Sequence, residues 1–114
     1  MITLQKLKAS GDSYVVAERY YSILSALNDL HLTQREVQLI AFAAVRGNMS
    51  YANVKEEFCK KYNSSSPTIS NIVSKLKKMH ILVKDGGKIK VATVIALNFN
   101  NDIKLEISLQ HEQL

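Results

Sequence analysis

The chain has 114 residues, 46% of them hydrophobic, with 15 basic and 10 acidic residues and a net charge of +5. That is room for one domain with a buried core, and one proline and four glycines exclude a collagen-like, proline-rich or disordered chain. No run of 18 apolar residues exists, so no membrane-spanning helix is expected. The opening residues 1–8 lack the basic-then-apolar order of a signal peptide, and the single Cys59 cannot form an internal disulfide. Both points suggest a reducing, cytoplasmic compartment.

The charge is unevenly placed. Between Lys60 and Lys90 lie eight lysines and one acid, Asp85, whereas the rest of the chain has seven basic and nine acidic residues. A near-neutral body with one basic segment suggests an electrostatic footprint for a polyanion, or else a solvated lysine face that keeps the chain in solution.

In chain order, residues 2–8 alternate loosely and suggest a short strand, and Ser10-Gly11-Asp12-Ser13 is turn chemistry. Tyr14-Val15-Val16 is compatible with a hairpin partner for that strand. Val16, Tyr20, Ile23, Leu27 and Leu30 follow in steps of four and three, one helical stripe suited to a core face or to a dimer seam. Thr33-Gln34-Arg35-Glu36 is a capping box. It opens a helix to about Arg46 that carries Val37, Ile40, Ala41, Ala44 and Val45, with Gly47 as its stop. Ser50 is the expected cap of a third helix, 51–62, burying Val54, Phe58 and Tyr62 beside Cys59. Ser66-Pro67 restarts the pattern as N-cap and first helical residue. Helix 67–79 is expected to bury Ile69, Ile72, Val73, Leu76 and Met79. Ile81 to Lys84 and Lys88 to Val91, around Asp85-Gly86-Gly87, form a β-hairpin signal over 81–91. Asn98 to Asp102 reads as a turn, and the alternation of Ile103, Leu105, Ile107 and Leu109 predicts a strand over 103–109. The expected fold class is mainly α with a small β-sheet, in one domain of 1–114.

The polar face of helix 67–79 shows Thr68, Ser70, Asn71, Ser74, Lys75, Lys77 and Lys78. Two helices joined by a tight turn pack steeply, so the second projects one face, and a small, polar, basic face fits a major groove. Asn71 suits adenine, Thr68 a hydroxyl or thymine-methyl contact, and Ser66 with the first-turn amides a phosphate. Lys75, Lys78, Lys84, Lys88 and Lys90 suit phosphates. Residues 33–95 resemble a winged helix-turn-helix DNA-binding domain. The stretch Ser66 to Lys88 looks like the recognition helix and wing of the multiple-antibiotic-resistance-regulator type, where the recognition helix runs straight through a Leu-Val step and charged residues into the wing turn, as Leu76 to Lys88 does. The resemblance implies a bacterial or phage transcriptional regulator that binds double-stranded DNA; the extra N-terminal helix within 2–30 and the short terminal strands are additions read from this chain's own pattern. A homodimer or larger assembly with its seam at the helix near Val16–Leu30 plus the terminal strands is the matching oligomer.

Three features differ from that family: the wing tip is Asp85-Gly86-Gly87 without arginine, the projecting helix has no arginine, and the family's long dimerisation helices at both ends are not expected here. These, and the extra strands, support a second reading, a non-enzymatic winged-helix adaptor in a phage virion, packaging or replication assembly. His31, His80 and His111 lack ligand spacing, so no metal is expected. Cys59 reads as a buried, inert thiol, Glu56-Glu57 as a solvated face and Gly86-Gly87 as a turn rather than a phosphate loop. No enzyme and no cofactor are expected.

Overall fold

The computed structural model describes residues 12–99 and Ile103. Four helices precede a β-hairpin: α1 (Ser13–Leu27), α2 (Gln34–Arg46), α3 (Ala52–Tyr62), α4 (Ser66–Lys78), β1 (Leu82–Asp85) and β2 (Lys88–Val91). A short 3-10 turn, Thr93–Ile95, is the last regular element among the described residues. The molecule is mainly helical with a small two-stranded antiparallel sheet. None of its described helices is long and apolar enough to cross a membrane. The strands expected at 2–8 and 103–109 lie outside the described residues, except for Ile103.

The centre of the core is α2. Val37, Leu39, Ile40, Ala41, Phe42 and Ala43 are all buried, so this helix is covered nearly all round. Its ends form as the local chemistry dictates. Thr33 and Glu36 exchange both bonds of the capping box, and Gly47 closes the C-terminus at φ 84°, a left-handed conformation that glycine adopts without steric cost. The one-sided stripe of the sequence missed Leu39 and Phe42. Phe42 meets rings from two helices: Tyr14 of α1 stacks on it with centroids 5.2 Å apart, and Phe58 of α3 sits edge-on at 5.5 Å. Such pairs add about 0.5–1.5 kcal/mol beyond area burial.

The N-terminal helix departs from the sequence reading. Asp12 caps α1 by accepting from the Val15 amide at 3.1 Å, so Tyr14, Val15 and Val16 are helical and pair with no strand. The buried face is Ala17, Tyr21 and Ser25 rather than the 4-3-4-3 stripe, whose members Ile23 and Leu27 are 38% and 50% exposed. The physical reason is fit. Small Ala17 and Ser25 let α1 lie close on α2, and the Tyr21 hydroxyl donates to the Ile95 carbonyl at 2.8 Å, a bond the regular stripe does not supply. The Ser25 hydroxyl accepts from the Leu32 amide at 3.3 Å, which satisfies a buried polar group.

The Ser50 cap is also corrected. Tyr51 occupies the N-cap position of α3 without a side-chain bond, while the Asn48 side chain accepts from the Ser50 and Tyr51 amides. Ser50 instead turns its hydroxyl to the hairpin, accepting from the Ile89 amide at 2.5 Å, and the Met49 amide donates to the Ile89 carbonyl at 2.9 Å. The α2–α3 connection thereby runs along the open edge of β2. In α3, Val54 and Phe58 are buried as expected, but Tyr62 and Cys59 are only partly so.

The rotation of α1 has a direct consequence for stability. Leu27→Lys, on the exposed face near the helix C-terminus, should change unfolding free energy by less than about 0.5 kcal/mol. Leu76→Asp in α4, at a fully buried position, should abolish a cooperative melt. An unpaired buried charge costs several kcal/mol against a total of roughly 5–15 kcal/mol. Urea unfolding of both variants checks the pair, and a destabilised Leu27→Lys would return that stripe to the core.

Candidate nucleic-acid interface

The projecting helix is set by its turn and caps. Asn63 takes a left-handed conformation at φ 52° to end α3, and Ser65, not Ser66, is the N-cap of α4. The Ser65 hydroxyl accepts from the Thr68 amide at 3.4 Å and shares a hydrogen bond with the Thr68 hydroxyl at 2.9 Å. Ser66 is thus the first helical residue and Pro67 the second, one position later than expected. Both suit the first turn, where amides have no helical partner. At its other end α4 stops on His80, left-handed at φ 61°. The His80 amide donates to Lys77 and the Ile81 amide to Leu76, both at 3.0 Å, a closing motif more often built on glycine. This reversal feeds the chain directly into β1.

Ile69, Ile72, Val73 and Leu76 are buried, and Met79, at the C-cap, is half-buried. At 100° per residue the opposite stripe is Pro67, Asn71, Ser74 and Lys78, all exposed. Ser70 and Lys77 flank it on one side, Thr68 and Lys75 on the other, and all four are exposed. No acidic residue belongs to α4. Thr68 is half-committed to its cap, leaving Asn71 and Ser74 as the freer polar side chains of this stripe.

One acid reaches this helix from outside. The buried Glu36 carboxylate accepts from the Thr33 amide through Oε1, at 2.8 Å, and from the Lys75 ammonium through Oε2, at 2.7 Å. Burial alone raises this carboxyl, but the bond and charge of Lys75 and the two Thr33 bonds outweigh it, so its pKa lies below the ordinary range. Lys75 is therefore a brace between α2 and α4 rather than a free phosphate contact. Capping boxes are visible in sequence, but nothing in the sequence pairs Glu36 with a lysine 39 positions away.

The hairpin turns through Gly86 and Gly87, both at positive φ (58° and 79°), the signature of a type I′ turn. Leu82 pairs with Val91, Val83 with Lys90, Lys84 with Ile89 and Asp85 with Lys88. Cross-strand partners share a face, so the three expected lysines divide. Lys84 lies on the face of Leu82, Ile89 and Val91, which packs on the core, and Lys88 and Lys90 lie on the other with Asp85. Lys90 approaches Asp85 at 3.7 Å. Lys88 stands 5.9 Å from the ring of Tyr51, which is 48% exposed beside the hairpin.

Of the eight lysines of the basic segment, three have close partners, Lys61 over the Tyr14 ring at 3.6 Å, Lys75 by Glu36 and Lys90 by Asp85, and Lys88 has only the longer contact with the Tyr51 ring. Lys60, Lys77, Lys78, Lys84 and Lys88 are exposed and form no ion pair among the described residues. Cys59 is half-buried rather than fully buried, in a shallow groove with Lys55, Lys60 and Ser66. Among the described residues no group of three His, Cys, Asp or Glu side chains could hold a metal ion. No family model, curated protein or solved structure matches this chain.

The Glu36 brace predicts a pH dependence. A carboxyl with a lowered folded-state pKa contributes stability that is full above its unfolded value, about 4.3, and is lost as pH falls through the lower folded value. Glu36→Gln keeps an acceptor for Thr33 but no charge for Lys75. It should be less stable than the parent by about 1–3 kcal/mol at pH 7, with the difference shrinking as pH drops below about 4.3. Urea titrations of both proteins from pH 7 to pH 3 test this, and a pH-independent difference would refute the assignment.

Proposed function

We propose that this chain is a winged-helix module that binds double-stranded DNA, with α4 in the major groove, the hairpin as wing along the phosphate backbone and transcriptional control as its use. The observation that carries the reading is the outward stripe of α4. Pro67, Asn71, Ser74 and Lys78 are exposed together, with no acid of their own helix among them. A helix of 13 residues spans about 20 Å, enough to lie across a groove about 12 Å wide. The docking of Met49 and Ser50 on β2 supports the same arrangement, because it ties the hairpin to the segment that opens the helix pair.

Charge is distributed accordingly. Lys78 on α4 and Lys84 and Lys88 on the hairpin are free to meet phosphates, whereas Lys75 and Lys90 are held by carboxylates. Asn71 and Ser74 are short side chains in the middle of the outward stripe, suited to base edges. A symmetric dimer would present two such helices to two half-sites. In this reading the protein works where chromosomal or phage DNA is free to be bound, in the cytoplasm.

The second reading, a protein-binding adaptor of a phage virion or replication assembly, draws on the compensated charge of Lys75 and Lys90 and on Val94, which is 92% exposed next to the hairpin. An electrophoretic shift on random duplex across a salt series separates the two. The parent protein should bind with strong salt dependence. Lys78→Ala, Lys84→Ala and Lys88→Ala combined should weaken binding to all duplexes alike and flatten the salt slope by roughly 2–3 units, about 0.9 per lost phosphate contact. Lys90→Ala should change that slope less than Lys88→Ala. Absence of any duplex binding at low salt would favour the adaptor.

A further inference from the structure

Resting on the DNA-binding reading, we propose that α4 selects A·T over G·C base pairs from the major groove, with Asn71 as the adenine-reading side chain. Asn71 lies on the outermost stripe of α4, one turn beyond the exposed Pro67 and in the N-terminal half of the helix, the half whose side chains such helices turn to base edges. Its amide makes no hydrogen bond with the described residues, so both its donor and its acceptor are available. Adenine offers a matching pair in the major groove, the N7 acceptor and the N6 donor. Pro67, on the same stripe, adds an apolar ring suited to the thymine methyl group.

The complementary groups for G·C are missing from the same end. Guanine is read chiefly by arginine or lysine and cytosine by a carboxylate, and α4 contains neither arginine nor an acid. The described arginines are elsewhere: Arg19 on α1, Arg35 bonded to the Tyr62 carbonyl and Arg46 paired with Glu57. Lys78 shares the stripe but stands seven residues after Asn71, about 10 Å further along the axis. There it meets phosphate rather than the base pairs under the front of the helix. Lys75, one turn after Asn71, is withdrawn to Glu36.

The test is binding of parent, Asn71→Ala and Lys78→Ala proteins to three duplexes of equal length: all A·T, all G·C and all inosine·cytosine. Inosine·cytosine carries the major-groove pattern of G·C and a minor groove like that of A·T, so it reports which groove is read. The parent should bind A·T about tenfold or more tightly than either other duplex. Asn71→Ala should lose that preference by weakening on A·T alone, with an unchanged thermal melt, and Lys78→Ala should weaken on all three. Four results would overturn the proposal: equal or tighter binding of G·C; inosine·cytosine bound like A·T, which places the reading in the minor groove; an A·T preference that survives Asn71→Ala; and an A·T preference lost in Lys78→Ala. Binding to every duplex without preference would remove the selectivity and leave the DNA-binding function standing. Binding to none would remove both.

Discussion

The structure depends on the burial of α2 on nearly all sides. A helix of 13 residues with six consecutive or near-consecutive buried apolar positions cannot sit at a surface, so α1, α3, α4 and the hairpin are arranged around it. Phe42 shows how the constraint works. Its ring receives Tyr14 from one side and Phe58 from another, which sets α1 and α3 against the same helix and leaves α4 to close the remaining face with Ile69, Ile72, Val73 and Leu76. The outward stripe of α4 follows from this geometry, because with one side of that helix committed to α2 the opposite side has to face solvent.

The charge of the candidate interface is shaped by a single buried carboxylate. Glu36 closes the start of α2 and holds Lys75 at 2.7 Å, so the same side chain joins helix initiation to the orientation of α4. Its removal from water is offset by three hydrogen-bonding partners: the Thr33 amide, the Thr33 hydroxyl and the lysine. The cost to any polyanion site is one cation. Lys61, bound over Tyr14, and Lys90, beside Asp85, are diverted in the same way. What remains is a sparse set of exposed lysines around a short polar stripe, a pattern suited to shallow electrostatic attraction plus a few directional contacts rather than to a densely charged groove.

The hairpin is joined to the helical part through backbone polarity rather than through a large core of its own. An open strand edge exposes unpaired amides and carbonyls, and the β2 edge is met by the Met49 amide and the Ser50 hydroxyl. This contact explains why Ser50 abandons the cap of α3, where the Asn48 side chain takes over. It also brings Tyr51 out beside Lys88, an aromatic and a cation at the turn end of the hairpin that lie far apart in the chain.

What the sequence alone determined is local. The capping box at Thr33, the left-handed stop at Gly47, the apolar period of α4 and the Gly86-Gly87 turn are all set by interactions within a few residues, so each was legible, with the α4 cap displaced by one position to Ser65. The exposed polar residues of α4 were legible for the same reason: they are the complement of its apolar stripe. Tertiary structure alone decided the rest. The stripe from Val16 to Leu30 has ideal helical spacing, yet α1 buries Ala17, Tyr21 and Ser25, because close approach to α2 and the Tyr21–Ile95 bond depend on a surface that no local period describes. The pairings Glu36 with Lys75, Ser50 with Ile89 and Lys88 with Tyr51 each join residues more than 35 positions apart. Charge pattern indicates which residues are basic, but only packing decides which of those charges are already neutralised by a neighbour and which are left facing water.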